Sequence, residues 1–263
     1  MNEKRPKTTF APLGEGTFHF RCHKGISCFT ACCADLSLVL TPYDIVRLKN
    51  RLGLTSDEFI DRYTEPKLDE PYRFPMLRLL MNEDDRRSCP FVTPEGCTVY
   101  EDRPAACRIY PLGRAAMSLD DPKEKIRERF FLVRESHCRG FEENREWTAA
   151  EWMAGEGVDE YNRMNDPWLR IITSRRSLGP KLEVPRKLAM FGMASYNLDR
   201  FRTFVLSDPF QTRFEVDSAR NEAMASDDTA LLSFAFDWLE FSLFGEKTIR
   251  VRTFPDPDST SSE

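Results

Sequence analysis

Histidine is scarce in this chain of 263 residues: there are three, against eight cysteines. Any metal site must therefore draw mainly on sulfur. Cysteine in turn is missing from the second half, since none follows Cys138. Positive charge is not in excess: 38 Lys and Arg face 43 Asp and Glu, and the net charge of −5 argues against a nucleic-acid-binding surface. No run approaches the roughly 20 apolar residues needed to span a bilayer. The best candidate, 231–244, is too short and carries Asp237 and Glu240. The opening Met1-Asn-Glu-Lys-Arg-Pro-Lys has no apolar stretch behind its charges, so a secretory signal of the usual kind is not expected. A glycine-rich nucleotide loop is absent as well, because Gly14-Glu-Gly16 is too short and lacks a strand–turn–helix setting. Nothing resembles a catalytic triad or a paired-carboxylate site of specific spacing. These absences leave a cytoplasmic chain with no nucleic-acid or membrane partner, in which thiols stay reduced.

What is present is a cluster of thiols. Cys22, Cys28, Cys32 and Cys33 fall within a dozen residues, Cys89, Cys97 and Cys107 form a second group, and Cys138 stands alone. A thiolate is a soft, charged donor, and several in one place need a cation to hold them together. Zinc takes four in a tetrahedron, and iron–sulfur clusters take them at the cluster corners. The first-group spacings match neither zinc-ribbon nor ferredoxin patterns, so they signal metal without naming it. Two other readings carry less weight. Small buried hydrophobes would not crowd into one half of the chain, and a disulfide framework suits a secreted protein.

Eight thiols exceed the need of one site, which leaves two four-ligand sites, or one cluster with spare thiols. Arg21, Arg103, Arg108, Arg114 and Arg139 lie near the cysteines in sequence and could offset their charge through N–H···S contacts; Arg108, next to Cys107, is the favoured one. His23 and His137 each adjoin a cysteine but are better read as ordinary surface or hydrogen-bonded histidines, and His19 is a weaker candidate still.

The pattern of elements predicts an α+β protein. A cysteine-rich metal-binding domain of short strands and helices over 15–145 is followed by a mainly helical region over 146–250. Residues 1–14 read as a loose arm and 254–263 as a fraying tail. Strands are expected at 17–21, 36–40, 75–81 and 129–134. Thr41-Pro42 predicts a helix over Pro42–Leu52 stopped by Gly53, and capping boxes begin at Thr55 and Thr148. Asp102 is the expected cap of a short helix from Pro104. Longer helices are expected at 158–165, 185–206 and 227–244, with a linker over 174–181. The helix 227–244 is apolar nearly all round, which makes it a core helix or a docking face for a protein partner or a second copy of the chain.

Cys22-x5-Cys28-x3-Cys32-Cys33, then Cys89-Pro-Phe, Gly96-Cys97-x-Val-Tyr-Glu-x-Arg-Pro, Cys107-Arg-x-Tyr-Pro and Cys138-x-Gly140, resembles the YkgJ-type cysteine-cluster family. The likeness covers about residues 18–145. It implies a zinc- or iron-chelating domain with Cys22, Cys28, Cys32, Cys33, Cys89, Cys97, Cys107 and Cys138 as the ligand pool. The expected cofactor is an Fe–S cluster, of the 4Fe–4S type among others, or zinc. Flagellin lysine methylases resemble the same cysteine pattern, and some family members are labelled Fe–S oxidoreductases. A metal-dependent enzyme is therefore the second expectation, and a zinc-stapled interaction module the third.

Overall fold

The computed structural model describes residues 8–13, 16–67, 73–117 and 126–252. Its elements are helices and short antiparallel strands, so the fold is α+β. The chain divides into two compact units, Met1–Arg175 and Arg176–Glu263. The helices over 149–173 thus belong to the unit that holds the cysteines.

Two three-stranded antiparallel sheets frame the first unit. In one, Arg127–Glu135 lies between Thr8–Pro12 and Leu112–Met117; in the other, Met76–Leu79 lies between Val39–Leu40 and Thr64–Lys67. The expected loose arm is therefore partly a strand, with Phe10 opposite Val133. Its first residues, and the expected frayed tail, lie outside the described residues. Thr17–His19 pairs with Glu146–Thr148, which brings Phe18 and Phe20 onto Leu112, Leu132 and Trp152 as one apolar core. The two tryptophans anchor their polar edges on backbone carbonyls, Trp147 Nε1 on Phe20 (2.9 Å) and Trp152 Nε1 on Ile109 (3.1 Å).

Local signals set the helix starts. Thr41 accepts from Asp44 N while Asp44 returns a bond to Thr41 N (2.8 Å), Pro42 takes the first turn, and Gly53 ends the helix at φ 66°. Thr55–Glu58 and Thr148–Glu151 repeat the same box for Ser56–Tyr63 and Ala149–Glu156. The short cysteine-bearing helix Ala105–Ile109 departs from expectation. Its end is held by Asp44, whose Oδ1 accepts from Ala105 N at 2.8 Å, while Asp102 instead pairs with Arg47 (2.8 Å). The sequence suggested the nearest acid as the cap, but the fold uses one 61 residues away. Burial pushes the Asp44 carboxyl up, and the amides of Thr41 and Ala105 oppose that shift.

The second unit is helical: Val184–Tyr196, Leu198–Val205, Asp208–Arg213, Ser218–Ser226 and Asp228–Phe244, with one strand pair, Phe214–Glu215 and Arg250–Val251. The expected single helix over 185–206 breaks at Asn197, whose side chain accepts from Arg200 N (3.2 Å) and caps the next segment. Asp227 caps the last long helix, and Leu231, Leu232, Phe234, Phe236, Trp238, Leu239 and Leu243 along it are buried. It is a core helix, and its apolar side chains are largely used inside the unit. Among the described residues no helix is long and apolar enough to cross a membrane.

Candidate metal centre

The segment from Cys22 to Cys33 contains no helix or strand. It is a run of tight turns, in which the amides of Ile26, Phe29, Ala31 and Cys33 bond to the carbonyls of His23, Ile26, Cys28 and Thr30 at 2.9–3.1 Å. What fixes it is its two ends. At the entrance Arg21 N donates to Gly140 O (3.0 Å), which lays Cys22 beside the segment carrying Cys138. At the exit Cys89 N donates to Cys33 O (2.8 Å), and Ala34 bridges Ser88. The first cysteine group is thus tied at one end to Cys138 and at the other to Cys89.

The remaining cysteines are placed by equally local structure. Val92–Thr93 and Gly96–Cys97 form a two-stranded hairpin with Cys97 opposite Val92, while Val92 N reaches back to Cys89 O (3.1 Å). Gly96 sits at φ 123°, a backbone region that side-chain-bearing residues rarely enter. Cys107 sits on the helix that Asp44 caps.

Several thiols lie near enough to influence one another's charge. Cys22 feels Cys32, Cys28 and Cys138, and Cys138 feels Cys28 and Cys32. Cys107 feels Cys89, Cys97 and Cys32, and Cys89 feels Cys97 and Cys32. Cys32 is common to all four sets. Burial, helped by the neighbouring thiolates, pushes Cys22 up to about 11, and burial also pushes Cys89 up to about 11. Cys107 is raised for the same first reason. Cys32 is raised first by its hydrogen bond with Cys33 and then by burial. Packed this closely, thiolates repel, and without a cation these sites favour the neutral thiol.

The backbone opposes that repulsion in a repeated way. The amide two residues on from the cysteine donates to its sulfur at Cys89 (from Phe91), at Cys97 (from Val99) and at Cys138 (from Gly140). A fourth contact runs from Arg139 N to Cys28 Sγ at 3.2 Å. Such N–H···S bonds favour the charged sulfur that a metal requires. Sequence reading looked for this role in guanidinium groups and missed the amides, because a backbone donor leaves no mark on residue type. Gly140 is the exception, since a Cβ there would lie 2.5 Å from the Phe20 ring.

The favoured arginine is employed elsewhere. Arg108 is 8 % exposed and directs its guanidinium at the carbonyls of Arg103 (3.2 Å), Glu156 (2.8 Å) and Glu101, over the face of Tyr161. Arg103 pairs with Glu156, lies over the Tyr100 ring, and is close enough to lower Cys97 against the raising effect of burial. Arg114 binds Glu128 and Asp166, and the Arg139 side chain binds Glu142. His23 turns Nε2 to Glu143 (3.5 Å) and Nδ1 to the amide of Gly25 (3.1 Å), so it is engaged away from sulfur. His137 Nε2 is buried 3.6 Å from Glu135 Oε2. The Tyr110 hydroxyl is buried without a well-formed hydrogen bond and faces Cys138, close enough for each group to shift the other's pKa.

All eight cysteines are free; as residues Cys22 and Cys107 are exposed and the other six half-buried, although the sulfur of Cys107 is itself tucked inward. Free cysteines serving as core hydrophobes are usually buried outright; of these eight, Cys138 does pack against the apolar core of Phe18, Phe20 and Trp152. Among the described residues no three His, Cys, Asp or Glu side chains are drawn into a set that could already grip a metal ion. The cysteines are neighbours, but not yet a closed cage. As donors they fit a thiophilic ion: sulfur only, with amide support, and with the nearby histidine His23 turned away. A separate recess of about 370 Å³ opens between Thr17, His19, Leu132, Arg134, Phe141 and Asn144, and no cysteine lines it.

Comparison with known protein families gives a match over residues 21–139 to the CxxCxxCC family, described as "Putative zinc- or iron-chelating domain". No curated protein and no solved structure matches the chain. The match begins one residue before Cys22 and ends one residue after Cys138, enclosing all eight thiols. Over that stretch, a little under half of the chain, the sequence is similar to the CxxCxxCC family, as its order of cysteines suggested.

Proposed function

We propose that this protein is a cytoplasmic metal-binding protein that holds iron, as an Fe–S cluster, ahead of zinc. The ligand pool is Cys22, Cys28, Cys32, Cys33, Cys89, Cys97, Cys107 and Cys138. The observation that carries the reading is the state of the cysteines: all eight free, and those of three separate segments (22–33, 89–97 and 138) tied together by backbone contacts. Iron–sulfur is put first because sulfur is plentiful and His23 is otherwise engaged. A cluster would supply one-electron chemistry, whereas zinc would close the fold. The chain's own contribution is to hold the sulfurs together and to meet their charge with the amides of Phe91, Val99, Arg139 and Gly140.

Anaerobic purification followed by iron, zinc and acid-labile sulfide analysis tests this. Iron with matching sulfide and a brown colour is the expected result. Zinc without sulfide would replace the cluster by an ion, and protein free of both metals would overturn the proposal.

Binding should also depend on pH in a defined direction. Cys22 and Cys89, both near 11, are protonated in the metal-free protein at neutral pH, and each must release its proton to ligate. Apparent affinity is therefore expected to rise with pH, by about tenfold per pH unit for each proton released. Metal titrations at several pH values between about 6 and 9 measure the slope, and a flat profile would remove these two thiols from the ligand set.

A further inference from the structure

We infer that Asp44 is a positioning residue for the thiol of Cys107, holding it in place from a helix that carries no cysteine. The inference rests on the metal-binding reading above for what Cys107 does, and deepens it by naming what fixes that sulfur.

The cysteines of 22–33, 89–97 and 138 are tied to one another by backbone contacts, but the helix Ala105–Ile109 that bears Cys107 is secured differently. Its first turn closes on itself, with Cys107 N and Arg108 N both donating to Pro104 O (2.9 and 3.0 Å). A helix of five residues is far too short to persist unaided. Its first amides have no partner within the helix, and the N-cap position is Pro104, whose side chain cannot accept a hydrogen bond. Asp44 supplies what the local sequence lacks. Its Oδ1 accepts from Ala105 N and its Oδ2 from Thr41 N, each at 2.8 Å, so one carboxylate serves the starts of two helices. At 1 % exposure it is shielded from water that would compete for both bonds. A charged acceptor also strengthens them and suits the positive end of each helix dipole.

The base from which Asp44 acts is itself fixed. Tyr43 N donates to Asn165 Oδ1 (3.3 Å) and the Tyr43 ring meets Tyr161 edge-on at 4.9 Å, which seats Pro42–Leu52 on Val158–Thr173. Arg47 reaches Asp102 (2.8 Å), two residues before Pro104. On the far side of the cysteine, the Arg108 guanidinium lies over the same Tyr161 ring. Cys107 is therefore held from both sides, through Ala105 on Asp44 and through Arg108 on Tyr161. Its sulfur is tucked inward from an otherwise exposed residue, and that direction follows the seating of the turn.

Charge and placement make opposite demands here, which makes the role testable. A negative carboxylate disfavours a nearby thiolate, so by charge alone the removal of Asp44 would strengthen metal binding. By placement it should weaken it.

The first measurement needs no variant. In the reduced, metal-free full chain the Ala105 amide should exchange its hydrogen at least about tenfold more slowly than an open amide, although first-turn amides are ordinarily unprotected. Exchange at the open rate overturns the inference. Asp44→Ala should then weaken cobalt(II) binding, read by thiolate-to-cobalt absorption, by about tenfold, the effect of one hydrogen bond to a charged group. In a chain already carrying Cys107→Ser, the same substitution should leave the remaining affinity unchanged. Unchanged or tighter binding by Asp44→Ala overturns the inference, and so does an equal loss in both backgrounds, which would make Asp44 a general support. No cobalt uptake by the wild-type chain would overturn the metal reading instead, and the Ala105 exchange rate would still decide whether Asp44 holds the helix of Cys107.

Discussion

Removal of the metal is expected to lower the unfolding temperature of the unit Met1–Arg175 by about 10 °C. A ligand present at about a thousand times its dissociation constant contributes about 4 kcal/mol, and in a domain of this size each kcal/mol moves the transition by about 2–4 °C. The effect is large because the segment carrying four of the thiols has no helix or strand of its own, only successive turns pinned at both ends. Between those ends, metal–sulfur bonds would supply the cohesion that a core supplies elsewhere. Calorimetry of the full chain, loaded and chelated under reducing conditions, measures this. The transition of Arg176–Glu263, which contains no cysteine, should stay in place. Equal temperatures for loaded and chelated protein would show that the metal, if bound, does not hold this unit together.

The second large effect is expected at Arg108, away from the sulfur atoms. Arg108→Ala should cost about 3 kcal/mol, since it leaves buried carbonyls at Glu101, Arg103 and Glu156 without their donor. Arg108→Lys should recover only a minor part. An ammonium cannot span three acceptors in one plane, nor can it lie flat on Tyr161 as the guanidinium does at 4.6 Å. Urea denaturation of the three proteins checks the order wild type, lysine, alanine. A loss below about 1 kcal/mol for alanine would mean that water replaces the guanidinium at those carbonyls.

The contrast between these two predictions marks what the sequence could and could not reveal. Starts at Thr55 and Thr148 were legible because a capping box is written within four consecutive residues, and the start at Thr41 because proline follows an N-cap threonine. The helical, apolar character of Asp228–Phe244 was legible for the same local reason. Long-range partners were not. Thr8–Pro12 reads as an arm until Arg127–Glu135 pairs with it, and Asp102 reads as the cap of the helix at Ala105 until Asp44 arrives from 61 residues away. At the site the cysteines announced themselves by type and order, which is also what the family match reads. Their supporting donors did not, because all four are backbone amides. Arg108 stood beside a cysteine in sequence, yet the helix carries its side chain towards the carbonyls of neighbouring turns.

Gly140 meets three neighbours with three different parts of itself. Its amide supports Cys138, its carbonyl receives Arg21, and its bare Cα leaves room for the Phe20 ring. A shift of that aromatic ring would therefore be transmitted to a sulfur atom and to the lead-in of the first cysteine together. Interior packing and ligand spacing in this protein are not separately adjustable at that point.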